Sequence, residues 1–436
     1  MEKTKTKTKT IKLLDTLILI VIMLFPFLLL KNSGALKTLE HSLFIFVILR
    51  IMMTREIYIN KNIKIILVLL VIMFGSIFVS LQPTANDSLT IIRYMFVYFG
   101  LMIVLTQIKL DKNSLKILNY MFLTASLIFL IFGWVEFYKF KFIITRRFSA
   151  GYDIFIYGYA VSFLILYHLQ GYFKTAGKIL QATNASIMFM YMPLLIANGS
   201  RMNWLVVLFL MFITIGLNFN IKKLIGLLFI FTIGIILVPN KKQVNLKIEA
   251  RLKTITSSKD RSNNSRREVF KNSIRIFKTS PVLGAGFRDY RNDSIALNYS
   301  EKYKKYFDRE NKKIKKWPKD RKEKEDFKAY FFLVHSHNNF LDMLSGTGIQ
   351  GALSYILIFI IGFIGLFKRW KNNNRNHFLE IGLIMILFLQ LVGLSDTTLH
   401  MRRINEIVLF LVGIGLGKTF DKKEIIKEEN NDNEEN

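Results

Sequence analysis

Apolar residues in this chain come in long runs, not in alternation. Stretches dominated by Leu, Ile, Val and Phe recur from residue 12 to residue 420, broken by short links rich in Lys, Arg and Asn. Runs of roughly 17 or more such residues are each long enough, as α-helix, to cross a ~30 Å hydrocarbon core. The two-residue alternation of a membrane β-barrel is absent. The pattern predicts an all-α polytopic membrane protein of about 12 transmembrane helices. They fall at residues 12–31, 38–53, 63–81, 90–108, 115–135, 153–169, 180–197, 203–219, 222–239, 339–367, 378–394 and 404–420. The 38–53 run is the shortest and holds Arg50, and 339–367 includes a re-entrant or extra-membrane start. The chain then divides into helices 1–9 over residues 1–239, a large external loop with amphipathic helices over 240–338, helices 10–12 over 339–420, and a polar tail over 421–436 expected to be disordered.

Charge orients these runs. The N-terminal Lys ladder and the links 54–64, 109–116, 171–178, 220–223 and 368–376 are all basic, whereas 82–88 has no Lys or Arg. Basic short loops stay in the cytoplasm, so both termini are expected there. The same count sends residues 240–334 outside, although they carry 27 Lys and Arg against 12 Asp and Glu. Long loops translocate largely regardless of charge. Within this loop, Val269, Ile274, Ile276 and Phe277 suggest an amphipathic helix lying on the membrane or the bundle. The net charge of +30 reflects basic loops on both sides. The absence of Cys excludes disulfides, zinc–thiolate sites and thiol nucleophiles. No small-residue cleavage site follows the basic N-terminus, so no removable signal peptide is expected.

Several chemically capable residues fall on the expected external side. Arg146 and Arg147 precede the sixth run, Arg201 opens the eighth, and Arg266 and Arg267 lie in the loop. Arginine forks bind phosphate oxygens in pairs, so a cluster beside a membrane suits a phosphate or pyrophosphate. A single interfacial Arg more often snorkels to a headgroup; the combination is what points to function. Two of the six histidines, His335 and His337, stand just before an apolar helix. Ser336 or Asn338 would cap that helix. His337 would sit at its N-terminus, where the helix dipole favours the neutral ring that can accept a proton. Leu341, Leu344 and Gly348 would continue its face. Gly346, Gly348 and Gly351 permit a turn or close packing. A metal held by His335 and His337 is not expected, because an i, i+2 pair points to different sides of a helix and no acidic cluster completes it.

The segment HNNFLDMLSGTGIQG resembles the signature of the O-antigen ligase and O-antigen polymerase family, which places His-Asn nine residues before Gly-x-x-Gly: here His337, Asn338, Gly348 and Gly351. SRREVFKNSIRIFKTSPVLGAGF resembles the upstream element, through Arg266, Pro281, Gly284 and Gly286. NGSRMNW is similar to the Ser-Arg motif, Ser200 and Arg201. RRFSAGYD is similar to the Arg element before the sixth helix, with Arg147 better placed than Arg146. Phe270 stands where the family has a tryptophan-like position. The resemblance spans about residues 140–400. It implies a GT-C-like glycosyltransferase that needs no metal or other cofactor and inverts the anomeric centre. Its donor would be an undecaprenyl-pyrophosphate-linked glycan. Its acceptor would be a sugar hydroxyl, that of lipid A-core for a ligase or of another lipid-linked repeat unit for a polymerase. The setting would be the bacterial inner (cytoplasmic) membrane, with the site facing the periplasm.

The residues suit that chemistry. Pyrophosphate is a good leaving group that needs charge stabilisation more than a proton, from Arg147, Arg201 and Arg266, with Arg267 in reserve. The acceptor hydroxyl needs a base, His337 first and His335 as backup. Asp396 could orient an imidazole or bind sugar, as could His400, Arg402 and Arg403; all rank lower. A lipid-glycan flippase is the competing class. It predicts ionisable residues deep in several runs, and few are found, Arg50 and Arg93 being the clearest and both near run ends. No nucleic-acid partner is suggested.

Overall fold

The computed structural model describes residues 2–30, 33–80, 86–142, 147–237, 245–246, 248–250, 253, 261–287, 305–308, 313–314, 316–320, 323–324, 336–373 and 375–421. Arg146, His335, the tail beyond residue 421 and most of the charged stretch 301–328 lie outside the described residues. The rest is helical, apart from a two-residue antiparallel ladder pairing Phe307–Asp308 with Lys313–Ile314.

The helices are α1 (Glu2–Leu24), α2 (Ser33–Thr54), α3 (Lys61–Val79), α4 (Asn86–Thr106), α5 (Lys112–Lys139), α6 (Ile154–Lys174), α7 (Lys178–Asn198), α8 (Arg201–Leu217), α9 (Ile221–Leu237), α10 (Arg261–Thr279), α11 (Asn339–Asn372), α12 (His377–Gly393) and α13 (Arg402–Leu416). Each of the twelve apolar runs is therefore a helix. Among the described residues, seven stretches are long and apolar enough to cross a membrane, and α8 and α12 are shorter apolar helices. Arg50, the charge inside the second run, contacts Asp15 of α1 at 2.5 Å. Partly exposed pairs of this kind contribute at most about 1 kcal/mol.

Burial sorts the helices. α6 is buried without interruption from Tyr157 to Phe173, and α13 from Ile404 to Leu416. α12 is buried along most of its length. A helix apolar all round belongs inside a bundle. α6, α12 and α13 form that interior, while α3, α8 and α9 show apolar faces outward. α11 packs on α3 and α12, and α13 on α4.

The basic links meet at one end of the bundle. Arg369 donates to the Tyr58 hydroxyl at 2.8 Å, and Gln107 donates to the Tyr58 carbonyl at 2.9 Å. Lys223 donates to the Phe173 carbonyl at 2.6 Å. Lys112, Lys116, Lys174 and Asn376 line one cavity there. The five links that charge assigns to a common side thus share an end.

The 339–367 run, expected to have a re-entrant or extra-membrane start, is α11, and its backbone breaks near that start, at Gly348, with φ 70° and ψ −170°. Residues 339–347 form a short helical segment ahead of the break.

Candidate active site

The site forms at the other end, where the start of α6, the start of α11 and the link from α12 to α13 converge. His337 lies just outside α11. Asn338 is the N-cap, its side chain accepting from the Leu341 amide at 2.9 Å. His337 takes the left-handed backbone, φ 55°. That corrects the sequence expectation: His337 is not on the first helical turn, and Leu341, Leu344 and Gly348 do not continue its face. A non-glycine residue held in that region costs on the order of 1–3 kcal/mol and persists only when its surroundings over-determine it.

Those surroundings are specific. The Ser336 amide donates to the buried Asp342 carboxylate at 2.5 Å, and the Thr397 hydroxyl donates to the other oxygen of Asp342 at 2.9 Å. Asn339 donates to the Thr398 hydroxyl at 2.7 Å and accepts from the Thr398 amide at 2.8 Å. The Asn338 amide group donates to the Leu394 carbonyl at 2.8 Å. Four of these hydrogen bonds fasten residues 338–342 to residues 394–398.

The fastening brings His337 to Asp396. Imidazole Nδ1 is 3.3 Å from Asp396 Oδ1, whose carboxylate also accepts from the Tyr159 hydroxyl at 3.1 Å and from the Thr397 amide at 2.9 Å. Burial of Asp396 pushes its carboxyl pKa up, but His337, Arg266 and Tyr159 together outweigh it and hold the group below its ordinary value. An ionised carboxylate only accepts, so Nδ1 is the donor, and in the neutral ring the lone pair lies on Nε2. The His337 side chain keeps 22% of its exposure and Asp396 6%, so the ring is reachable and its partner is not.

Arg266 enters through α10. Val269, Asn272, Ser273 and Ile276 are buried, the i, i+3, i+4, i+7 stripe of a helix lying on its neighbour. Arg266 extends that stripe by one turn, is half-buried, and acts electrostatically on both Asp396 and Tyr159. Arg267, one position on, is exposed. Ile274 was expected on the apolar face and is exposed instead, 43%. Ile276 and Val269 already fill the contact, and Ile274 lies about 200° round the helix from Ile276. Arg201, at the first position of α8, reaches Asn263 of α10 at 3.4 Å. Arg147 is exposed, with its guanidinium 5.9 Å from the Phe155 ring, one helical turn before Tyr159 on α6.

The motif glycines explain the docking of α10. The Ala285 and Gly286 amides donate to the Ser345 and Gly346 carbonyls at 2.9 and 3.1 Å. The Ile349 amide donates to the Pro281 carbonyl at 2.9 Å. Breaking α11 at Gly348 orphans backbone groups on both sides of the break, and the Pro281–Gly286 loop satisfies them. Backbones meet this closely only without side chains. A Cβ at Gly348 would lie 2.1 Å from the Val282 carbonyl oxygen, and one at Gly284 2.3 Å from that of Gly346.

The sequence pointed to His337, Arg266 and the glycines. It ranked Asp396 below them, and it missed Tyr159, Asp342 and Asn339. Tyr159 sits inside an apolar run and gave no signal. Asp342, a carboxylate in the first turn after the cap, gave one that could have been used.

Taken as a class, this is a polytopic helical membrane protein with a histidine–carboxylate pair and arginines gathered at one end of its bundle. Residues 186–356 match the model of the O-antigen ligase family. The match runs from within α7 into α11, taking in Arg201, Arg266, the Pro281–Gly286 loop and His337, and leaving out Arg147, Tyr159 and Asp396. No curated protein matches the chain.

Proposed function

We propose that the chain is an O-antigen ligase, an inverting, metal-independent GT-C-type glycosyltransferase. It moves a polysaccharide from undecaprenyl pyrophosphate to a sugar hydroxyl of lipid A-core. In this reading all twelve apolar helices cross the inner membrane, the termini are cytoplasmic, and the His337 end faces the periplasm. The supporting observation is the contact between His337 and the buried Asp396, with Arg266 in electrostatic reach.

The acceptor oxygen attacks the anomeric carbon from the face opposite the pyrophosphate. A new glycosidic bond forms as the bond from that carbon to the pyrophosphate oxygen breaks, inverting the centre. His337 Nε2 takes the hydroxyl proton, and Asp396 stabilises the resulting imidazolium. The electron pair leaves on undecaprenyl pyrophosphate, whose added charge Arg266, Arg201 and Arg147 offset. Arg267, His335, Arg146 and Asn338 are supporting residues, Asn338 through its cap. The basic 240–338 loop favours an acceptor rich in phosphate, since opposite charge raises encounter rates.

The test mixes purified protein with undecaprenyl-pyrophosphate glycan and lipid A-core. Joined product is expected from wild type, and His337→Ala should lower its rate by about 10²-fold or more, the usual contribution of a general base. Glycan lengthening without a lipid A-core product would instead make the protein a polymerase using the same donor. No transfer to either acceptor by folded protein would overturn both readings and leave a flippase.

A further inference from the structure

The cavity at the end of the bundle away from His337 has no part in that chemistry. It encloses about 240 Å³ between the start of α5, the end of α6, the start of α7 and the start of α12. α12 is 17 residues long, so this cavity lies about 25 Å from Asp396 along the helix axis.

Its rim is cationic. Lys112 and Lys116 of α5 are exposed and, among the described residues, have no carboxylate or hydrogen-bond partner. Lys174 closes the other side, with its charge shared with the buried Glu380 at 2.9 Å. Asn119 and Asn376 add amide groups. His377, in the first turn of α12, also lines the cavity, and its Nδ1 is covered and has no hydrogen-bond partner. α5, α7 and α12 all begin near this cavity, with Asp111 capping α5 and Asn376 capping α12. Leu115, Leu123, Leu180 and Phe378 give the same cavity an apolar wall.

We propose that this cavity is a binding seat for a phosphate group, held at the lysine rim, and that the phosphate is the headgroup of an anionic phospholipid whose glycerol and first methylenes enter the apolar part. Two features favour the lipid over a soluble phosphate. The walls change from cationic to apolar within one cavity, and the cavity lies where helices of membrane-crossing length end. The seat does not depend on the glycosyl-transfer reading.

The test titrates the full chain in neutral detergent with short-chain phosphatidylglycerol, short-chain phosphatidylcholine and inorganic phosphate, read by thermal unfolding and native mass spectrometry. Wild type is expected to bind phosphatidylglycerol and to be stabilised by it. Phosphatidylcholine should do neither. Lys112→Gln/Lys116→Gln should weaken phosphatidylglycerol binding by 10-fold or more. Both lysines are exposed and unpaired, so the double variant should fold, and its unliganded unfolding temperature checks that it does. Inorganic phosphate competing as tightly as the lipid would keep the phosphate seat and assign it to a soluble ligand. Equal binding of phosphatidylglycerol to wild type and double variant, or equal binding of both lipids, would overturn the proposal.

Discussion

At the scale of single residues, the site rests on one carboxylate. Asp396 fixes the ring of His337, so its loss should act on rate more than on binding. Asp396→Asn is expected to lower kcat by about 10²-fold with KM little changed, measured in the two-lipid transfer assay. The same group has a pH signature. Its carboxyl pKa is depressed in the fold, so its contribution to stability is full above the unfolded value of about 3.9 and fades only as pH falls through the lower folded value. The stability difference between wild type and Asp396→Asn should shrink as pH falls below about 4, as read by thermal unfolding in detergent. The sequence made His337 visible because a polar residue before an apolar helix is conspicuous. It hid the partner, because Asp396 lies 59 residues away and only the folded bundle joins them.

At the scale of elements, α11 is two helices held in series by a loop from elsewhere. Gly348→Ala places a Cβ in a left-handed backbone, at about 1–2 kcal/mol, and drives it into the Val282 carbonyl. That variant should lose the α10 contact and with it the placement of Arg266. The expected result is a lower unfolding temperature and faster proteolysis within residues 261–287. Gly216→Ala in α8 is the matched control, with nothing within 4 Å of the new methyl. It should be neutral or stabilising by up to about 1 kcal/mol. Helices and their ends were legible from apolar runs and caps. The break in α11 was only half legible: Gly346, Gly348 and Gly351 announced a turn or a close contact, and the Pro281–Gly286 loop decided which glycine does which. The inward face of α10 was misjudged at Ile274, since five apolar residues over nine positions leave its rotation underdetermined until Asn272 and Ser273 are seen to be buried.

At the scale of the molecule, charge alone sorted the links correctly into a shared end, because Lys and Arg density is a property of short loops and needs no tertiary contact. Which compartment that end faces is open to a direct experiment. The chain has no Cys, so single cysteines can be introduced without background. Lys178→Cys and Lys371→Cys should react with a membrane-impermeant maleimide only after the membrane is opened, and Asp153→Cys should react in intact spheroplasts. The reverse pattern would invert the proposed orientation. The joining of His337 to Asp396 also bears on inheritance. The 186–356 stretch holds His337, and the carboxylate beside its ring and the tyrosine bonded to that carboxylate come from flanking sequence on either side. That stretch is therefore no cassette. A chimera that exchanges it sets an imported histidine against the recipient's own carboxylate and tyrosine, so the two parts have to fit one another.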